Sequence, residues 1–269
     1  MREIAFGQYY PAKSFVHRMD ARVKLLLVIA YIVLVFLCKN FYAFGAALAF
    51  VAVGVAFSRV PVRLVLKSMK GILFLVVFTA IITLFFNKGG ELLFHWYFIK
   101  IYADGVTFAA FMALRMLLLV TGASLLTLTT TPVDLTDALE NLLSPLKKIK
   151  FPVHELALIM SIALRFIPTI MEETDRIIRA QKARGADFET GGILRRAKAM
   201  VPVLVPLLFS SLRRADELGD AMDARCYGAE KNRTKYKKMK LSWRDLVGAL
   251  FVACVIVGVV LLSRYFGAL

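Results

Sequence analysis

Residues 23–131 and 246–263 are so dense in Leu, Val, Ile, Phe and Ala that helices built from them are apolar on nearly every side. Residues 132–240, between them, carry most of the charge. A helix without a polar face must be hidden from water, in a large core or in a bilayer. With 59% apolar residues in 269 and a mean hydropathy of +0.69, the chain has too little polar material to wrap such segments. An ordinary soluble domain is excluded, and the pattern predicts an all-α integral membrane protein with a cytoplasmic portion.

Crossing a bilayer takes about 20 mostly apolar helical residues, or fewer where flanking cations reach the interface. Five segments qualify: 23–38, 41–57, 71–86, 106–128 and 246–263. The shortest need tilt or local thinning. The net charge of +16 would raise nucleic-acid binding on a soluble protein, but here it sorts by side. With the N-terminus inside, residues 1–24, 58–70 and 129–244 are cytoplasmic and hold five, four and twenty-one Lys plus Arg. Only Lys39, Lys88, Lys100 and Arg264 fall outside, and Arg115 within a span. The positive-inside rule therefore fixes the orientation and removes the need for a nucleic-acid partner. Residues 1–22 mix cations with Glu3 and Asp20 and show no cleavage pattern, so the first span is expected to be retained. Three dispersed cysteines, Cys38, Cys226 and Cys254, indicate neither a disulfide framework nor a CxxC metal site.

This yields an N-terminal membrane domain of four spans (1–131), a cytoplasmic helical insert (132–240) and a C-terminal span (241–269). Between spans two and three, Val60–Lys70 alternates cations with apolar residues and predicts a short interfacial helix. Trp96, Tyr97 and Tyr102 suit the membrane–water boundary. The insert opens on Thr131-Pro132-Val133-Asp134, a helix start with Thr as cap and Pro at the first position, for a helix reaching about Leu143. A long helical pattern then runs from Val153 to about Arg184, and another from Gly192 to about Arg225, where Pro202 and Pro206 should kink or segment it.

Those two stretches share a layout. Each begins apolar, becomes charged, and stops after an arginine, at Ala183-Arg184-Gly185 and Ala224-Arg225-Cys226. A guanidinium beside small neighbours is free to dock into a groove and donate several hydrogen bonds to carboxylates or carbonyls. A cation near a helix C-terminus also serves as an electrostatic cap, worth about 0.3–1 kcal/mol. Two matching ends favour docking of both arginines together.

On Phe6-Gly7-Gln8-Tyr9-Tyr10, His17-Arg18-Met19-Asp20-Ala21-Arg22-Val23-Lys24, Thr130-Thr131-Pro132, Ala163-Leu164-Arg165-Phe166-Ile167-Pro168 and the two arginine motifs, the chain resembles a known family. This is the transmembrane T component of energy-coupling factor transporters, importers of vitamins and some transition-metal ions, related to the Q component of cobalt transporters. The resemblance covers nearly the whole chain. It implies a noncatalytic coupling subunit in a bacterial plasma membrane. Its two long helices would enter grooves on two ABC-type ATPase subunits (A and A′) through Arg184 and Arg225. ATP and Mg would bind those partners and not this chain, and the spans would contact a membrane-embedded substrate-binding S component.

Span two presents Gly45, Ala49, Ala52 and Ala56 at helical spacing, a smooth stripe for packing within the bundle or for contact with the S component. Arg115 must face protein, water or a partner, and structural pairing is the expected role. Catalytic signals fail: His154-Glu155 begins an HExxH-like run, but Leu158 stands where the second metal-binding His should be. GxxxxGK[ST] and GxGxxG are both missing, so no catalytic residue, cofactor or metal ligand is assigned to the chain. The competing reading, a membrane enzyme acting on a lipid or isoprenoid through Asp216, Glu217, Asp220 and Asp223, uses a spacing that equally describes a solvated helix face.

Overall fold

The computed structural model describes residues 9–38, 40–86, 89–90, 92–96, 99–188, 190–227 and 242–265. The motif residues Phe6-Gly7-Gln8, the aromatic Tyr97 and Gly228 lie outside them. Eight helices and one hairpin follow in order: α1 (Ala21–Leu37), α2 (Phe41–Ser58), α3 (Val62–Phe86), β1 (Leu92–Trp96), β2 (Ile99–Tyr102), α4 (Ala103–Thr129), α5 (Pro132–Leu143), α6 (Val153–Ala183), α7 (Ile193–Ala224) and α8 (Trp243–Tyr265), with a 3-10 turn at Ser144–Ile149. Strands β1 and β2 pair antiparallel, with Trp96 opposite Ile99. The chain forms two compact units: Met1–Val153 with Met239–Leu269, and His154–Lys238.

In the first unit, α1 packs on α4, α5 and α8, α2 packs on α4 and α8, and α3 lies along α4. The core is a seam of Tyr31, Leu34, Val35 and Cys38 from α1, Ala43, Phe44, Ala47 and Val51 from α2, Leu118 from α4 and Val259 from α8. Alanines at that seam let helix backbones approach closely, which compensates for the weak drive between apolar helices in lipid. At one point the approach requires glycine. A Cβ on Gly122 would overlap the Tyr31 ring, whose hydroxyl donates to the Leu118 carbonyl at 2.9 Å.

Charge and amphipathicity sort the helices. In α3 only Val65 and Val76 are buried, while Phe74, Phe78 and Phe86 stand exposed, an apolar surface that only lipid or another membrane protein covers. Helices α5, α6 and α7 instead carry apolar and polar faces, the form of helices lying against a surface.

Three expectations change. The interfacial helix at Val60–Lys70 and the third span are one continuous helix, α3, because Gly71 lowers helix propensity by only about 1 kcal/mol and nothing else there breaks the hydrogen-bond ladder. By length and composition five described helices can cross a membrane: α2, α3, α4, α6 and α8. Helix α1, at 17 residues, is short, and α6 joins the set through its apolar stretch despite its amphipathic face. Neither Pro202 nor Pro206 segments α7, which runs unbroken through both.

Replacing Gly122 with Ala should overpack the Tyr31 contact and cost about 1–3 kcal/mol. A lowered thermal unfolding midpoint in detergent, unrelieved in a Tyr31→Phe background because the clashing ring carbons remain, measures it.

Candidate coupling site

Helices α6 and α7 close with the same pair of backbone hydrogen bonds. After α6, the Gly185 amide donates to the Lys182 carbonyl at 3.0 Å and the Ala186 amide to the Gln181 carbonyl at 3.0 Å. After α7, the Cys226 amide donates to Asp223 at 2.8 Å and the Tyr227 amide to Met222 at 2.9 Å. These paired bonds, closing one and two positions beyond the cap, define a Schellman end. Arg184 and Arg225 are thus the cap residues of their helices, and both are exposed. The following residue is left-handed in each, with Gly185 at φ +86° and Cys226 at φ +53°. Cys226 departs from glycine in sequence without departing from the geometry.

The two helices are joined through Glu173, which accepts from the Ser210 hydroxyl at 2.5 Å and pairs with Arg214 at 2.7 Å. Glu173 and Arg214 are 41 residues apart, as are Arg184 and Arg225. Each joined residue therefore lies 11 positions before its own capping arginine, about 16 Å of helix. The contact falls at equivalent points of the two repeats, so the arginine ends stand equally far beyond it. As a half-exposed pair it contributes at most about 1 kcal/mol, and its significance is positional.

Asp216, Glu217, Asp220 and Asp223 line an exposed face of α7, and among the described residues no three His, Cys, Asp or Glu side chains gather as a metal cage. The acidic row is a solvated helix face, and the lipid-enzyme reading is not favoured.

The motif from His17 to Lys24 has a structural logic that sequence spacing did not disclose. Asp20 caps α1 by accepting from the Arg22 amide at 2.9 Å and pairs with the Arg22 guanidinium at 2.8 Å. Burial pushes the Asp20 carboxyl upward, but these hydrogen bonds and the charge of Arg22 outweigh it and hold it below the usual carboxylate range. Lys24 is buried, and its ammonium donates to the carbonyls of Thr129 (3.0 Å) and His17 (3.3 Å) and to the Thr130 hydroxyl (3.4 Å). It thereby closes the C-terminal end of α4 directly before α5 begins. There Thr131 caps α5, its hydroxyl accepting from the Asp134 amide and donating to the Asp134 carboxylate, with Pro132 at the first helical position.

His17 Nε2 lies 2.9 Å from the Tyr10 carbonyl, which can only accept, so Nε2 carries the proton and Nδ1 accepts from Ser14 at 2.7 Å. Burial, chiefly, lowers the His17 pKa, in keeping with this neutral form. Asp245 was missed. Its carboxylate accepts from the Asp20 amide at 2.8 Å and the Ser242 amide at 2.7 Å, tying α8 to the start of α1. The spacing Ser242-x-x-Asp245 was the available signal.

Arg115 donates to the Cys38 carbonyl at 3.2 Å and sits 5.8 Å from the ring centres of Phe36 and Phe44. It satisfies the end of α1 and takes its compensation from aromatic faces in place of an acid. Gly45, Ala49, Ala52 and Ala56 are all exposed, and the packed face of α2 is Ala43, Phe44, Ala47 and Val51. The small-residue stripe is an open surface of the first unit.

A family model described as CbiQ, a cobalt transport protein, matches residues 12–236, a range that contains the capping motif, both long helices and both arginines. The chain belongs to this family. Relatives named energy-coupling factor transporter transmembrane protein EcfT include one from Clostridium kluyveri, 48% identical over 265 residues and covering 98% of each chain. Those from Ruminiclostridium cellulolyticum (48% over 247 residues, 92% of each chain) and Bacillus subtilis (45% over 245 residues, 91% of this chain and 92% of the relative) carry the same name. As a CbiQ-family member with its apolar helices, the chain is a multi-pass membrane component of a transporter and not an enzyme.

A left-handed non-glycine residue costs roughly 1–2 kcal/mol. Cys226→Gly should therefore strengthen the α7 end by about 1 kcal/mol, seen as slower amide exchange at Cys226 and Tyr227, whereas Gly185→Ala should loosen the α6 end by a similar amount.

Proposed function

We propose that this chain couples ATP hydrolysis to substrate import by seating the Arg184 and Arg225 ends on two cytoplasmic ABC-type ATPase subunits. The observation that carries this is the match between two exposed, arginine-capped helix ends set equally far from a shared contact, which suits two related partners engaged together. Ala183, Gly185, Ala224 and Cys226 keep each guanidinium clear, so that its planar fork enters a groove and bonds carbonyls or carboxylates. ATP and Mg belong on the partners.

The arginine ends and the N-terminus are cytoplasmic in this reading, as the distribution of Lys and Arg requires. The exposed Gly45, Ala49, Ala52 and Ala56 stripe on α2 meets a membrane-embedded S component, where small side chains allow close helix approach. That component supplies specificity for a vitamin or related micronutrient, and motion of the ATPases reaches it through α6 and α7.

Replacing Arg184 and Arg225 together with Ala should abolish ATP-driven uptake and co-purification of the ATPases while membrane levels stay normal. Uptake at the wild-type rate by that variant overturns the proposal. Within α6 and α7, Glu173→Arg and Arg214→Glu should each reduce uptake severalfold, and the double exchange should restore much of it.

A further inference from the structure

The first unit contains a cavity of about 410 Å³, within the range of about 300–1,000 Å³ taken by small-molecule pockets. Its walls come from α1, α2, α4 and α8, and its floor from the segment of Phe15, Val16 and Met19. Gly54, Gly122 and Gly248, one from each of α2, α4 and α8, are among the lining residues, and a Cβ on them would press on Leu125, Tyr31 and Met19. Phe50 stacks between Tyr31 and Phe251, with ring centres 5.7 and 5.6 Å away, and bounds the upper end. Val53, Phe57, Phe15 and Phe251 line the cavity yet remain substantially exposed. The opening is therefore lateral, between α2 and α8, onto surface that faces lipid.

The polar side chains in the lining are already engaged. Lys24 bonds the Thr129 carbonyl, the Thr129 hydroxyl donates to Leu125 at 2.8 Å, and the Tyr31 hydroxyl donates to Leu118. Water needs two to four polar partners to occupy such a site, whereas an alkyl chain needs none. The surroundings of the mouth have the opposite character. Arg59 caps α2 two residues past Phe57, Arg18 lies between Val16 and Met19 of the floor, and Arg244 stands one turn before Gly248 on the same face of α8. Exposed Trp243, at the foot of α8, is a side chain of the membrane–water interface. An apolar slot opening sideways under three cations from separate segments has the charge and polarity profile of a phospholipid.

We propose that the cavity holds one acyl chain of an anionic phospholipid, with its phosphate beside Arg18, Arg59 and Arg244. The site is separate from the arginine ends and does not depend on the coupling role. The test uses the full-length chain in nanodiscs of phosphatidylcholine with or without phosphatidylglycerol, read by native mass spectrometry of lipids retained on release into mild detergent and by thermal unfolding. Expected are one phosphatidylglycerol retained per chain in preference to phosphatidylcholine, and an unfolding midpoint raised by several degrees when phosphatidylglycerol is present. The surface variant Arg18→Gln/Arg59→Gln/Arg244→Gln should lose that preference, and Gly54→Leu, which fills the slot, should lose the retained lipid of either headgroup. Equal retention of both lipids by the wild type, an unchanged preference in the triple variant, or wild-type retention by folded Gly54→Leu each overturns the proposal. Should Gly54→Leu fail to fold, the triple variant decides alone, since its three changes leave the core untouched.

Discussion

A helix that stops within or beside a bilayer leaves carbonyls and amides that lipid cannot satisfy, and the structure is organised around closing such ends. Lys24 closes α4, Asp20 opens α1, Arg115 meets the carbonyl just past α1, and Asp245 fastens α8 to the same place. All four are charged residues buried or half-buried in an otherwise apolar unit, where each is tolerated because it answers a backbone group. Because Lys24 holds Thr129 and Thr130, the turn into α5 has a defined start, and α5 rests on α1.

The second unit closes its helix ends differently. The ends of α6 and α7 are exposed and backbone bonds alone close them, which leaves each cap side chain outside the closure. This contrast separates Arg115, whose guanidinium is used internally, from Arg184 and Arg225, whose guanidinia are exposed. The same residue type serves closure in one setting and presentation in the other, and composition alone does not distinguish them.

Much of the fold was legible because its signals are local. Thr131-Pro132 with Asp134 marks the start of α5 at the residue, and the glycines at 185, 191 and 192 bound the end of α6 and the start of α7 to within a residue or so. The continuity of α3 was not legible, since cations at Arg63, Lys67 and Lys70 look like an interface whether or not the helix continues past them. Nor was the side of α2 that packs, because Ala43 with Ala47 and Gly45 with Ala49 present equally small stripes, and only the neighbours Phe44 and Val51 tip the helix one way. At the candidate site the arginines could be read from a repeated tripeptide, whereas the Glu173–Arg214 contact needed three dimensions. Charged residues are common along both helices, and no local rule selects that pair.

The contact at matched positions sets the two arginine ends at the same helix length beyond one shared point. Displacing that point along one helix by a single turn would shorten one arm by about 5.4 Å relative to its mate. The spacing between Glu173 and Arg184, repeated from Arg214 to Arg225, keeps the two reaches equal.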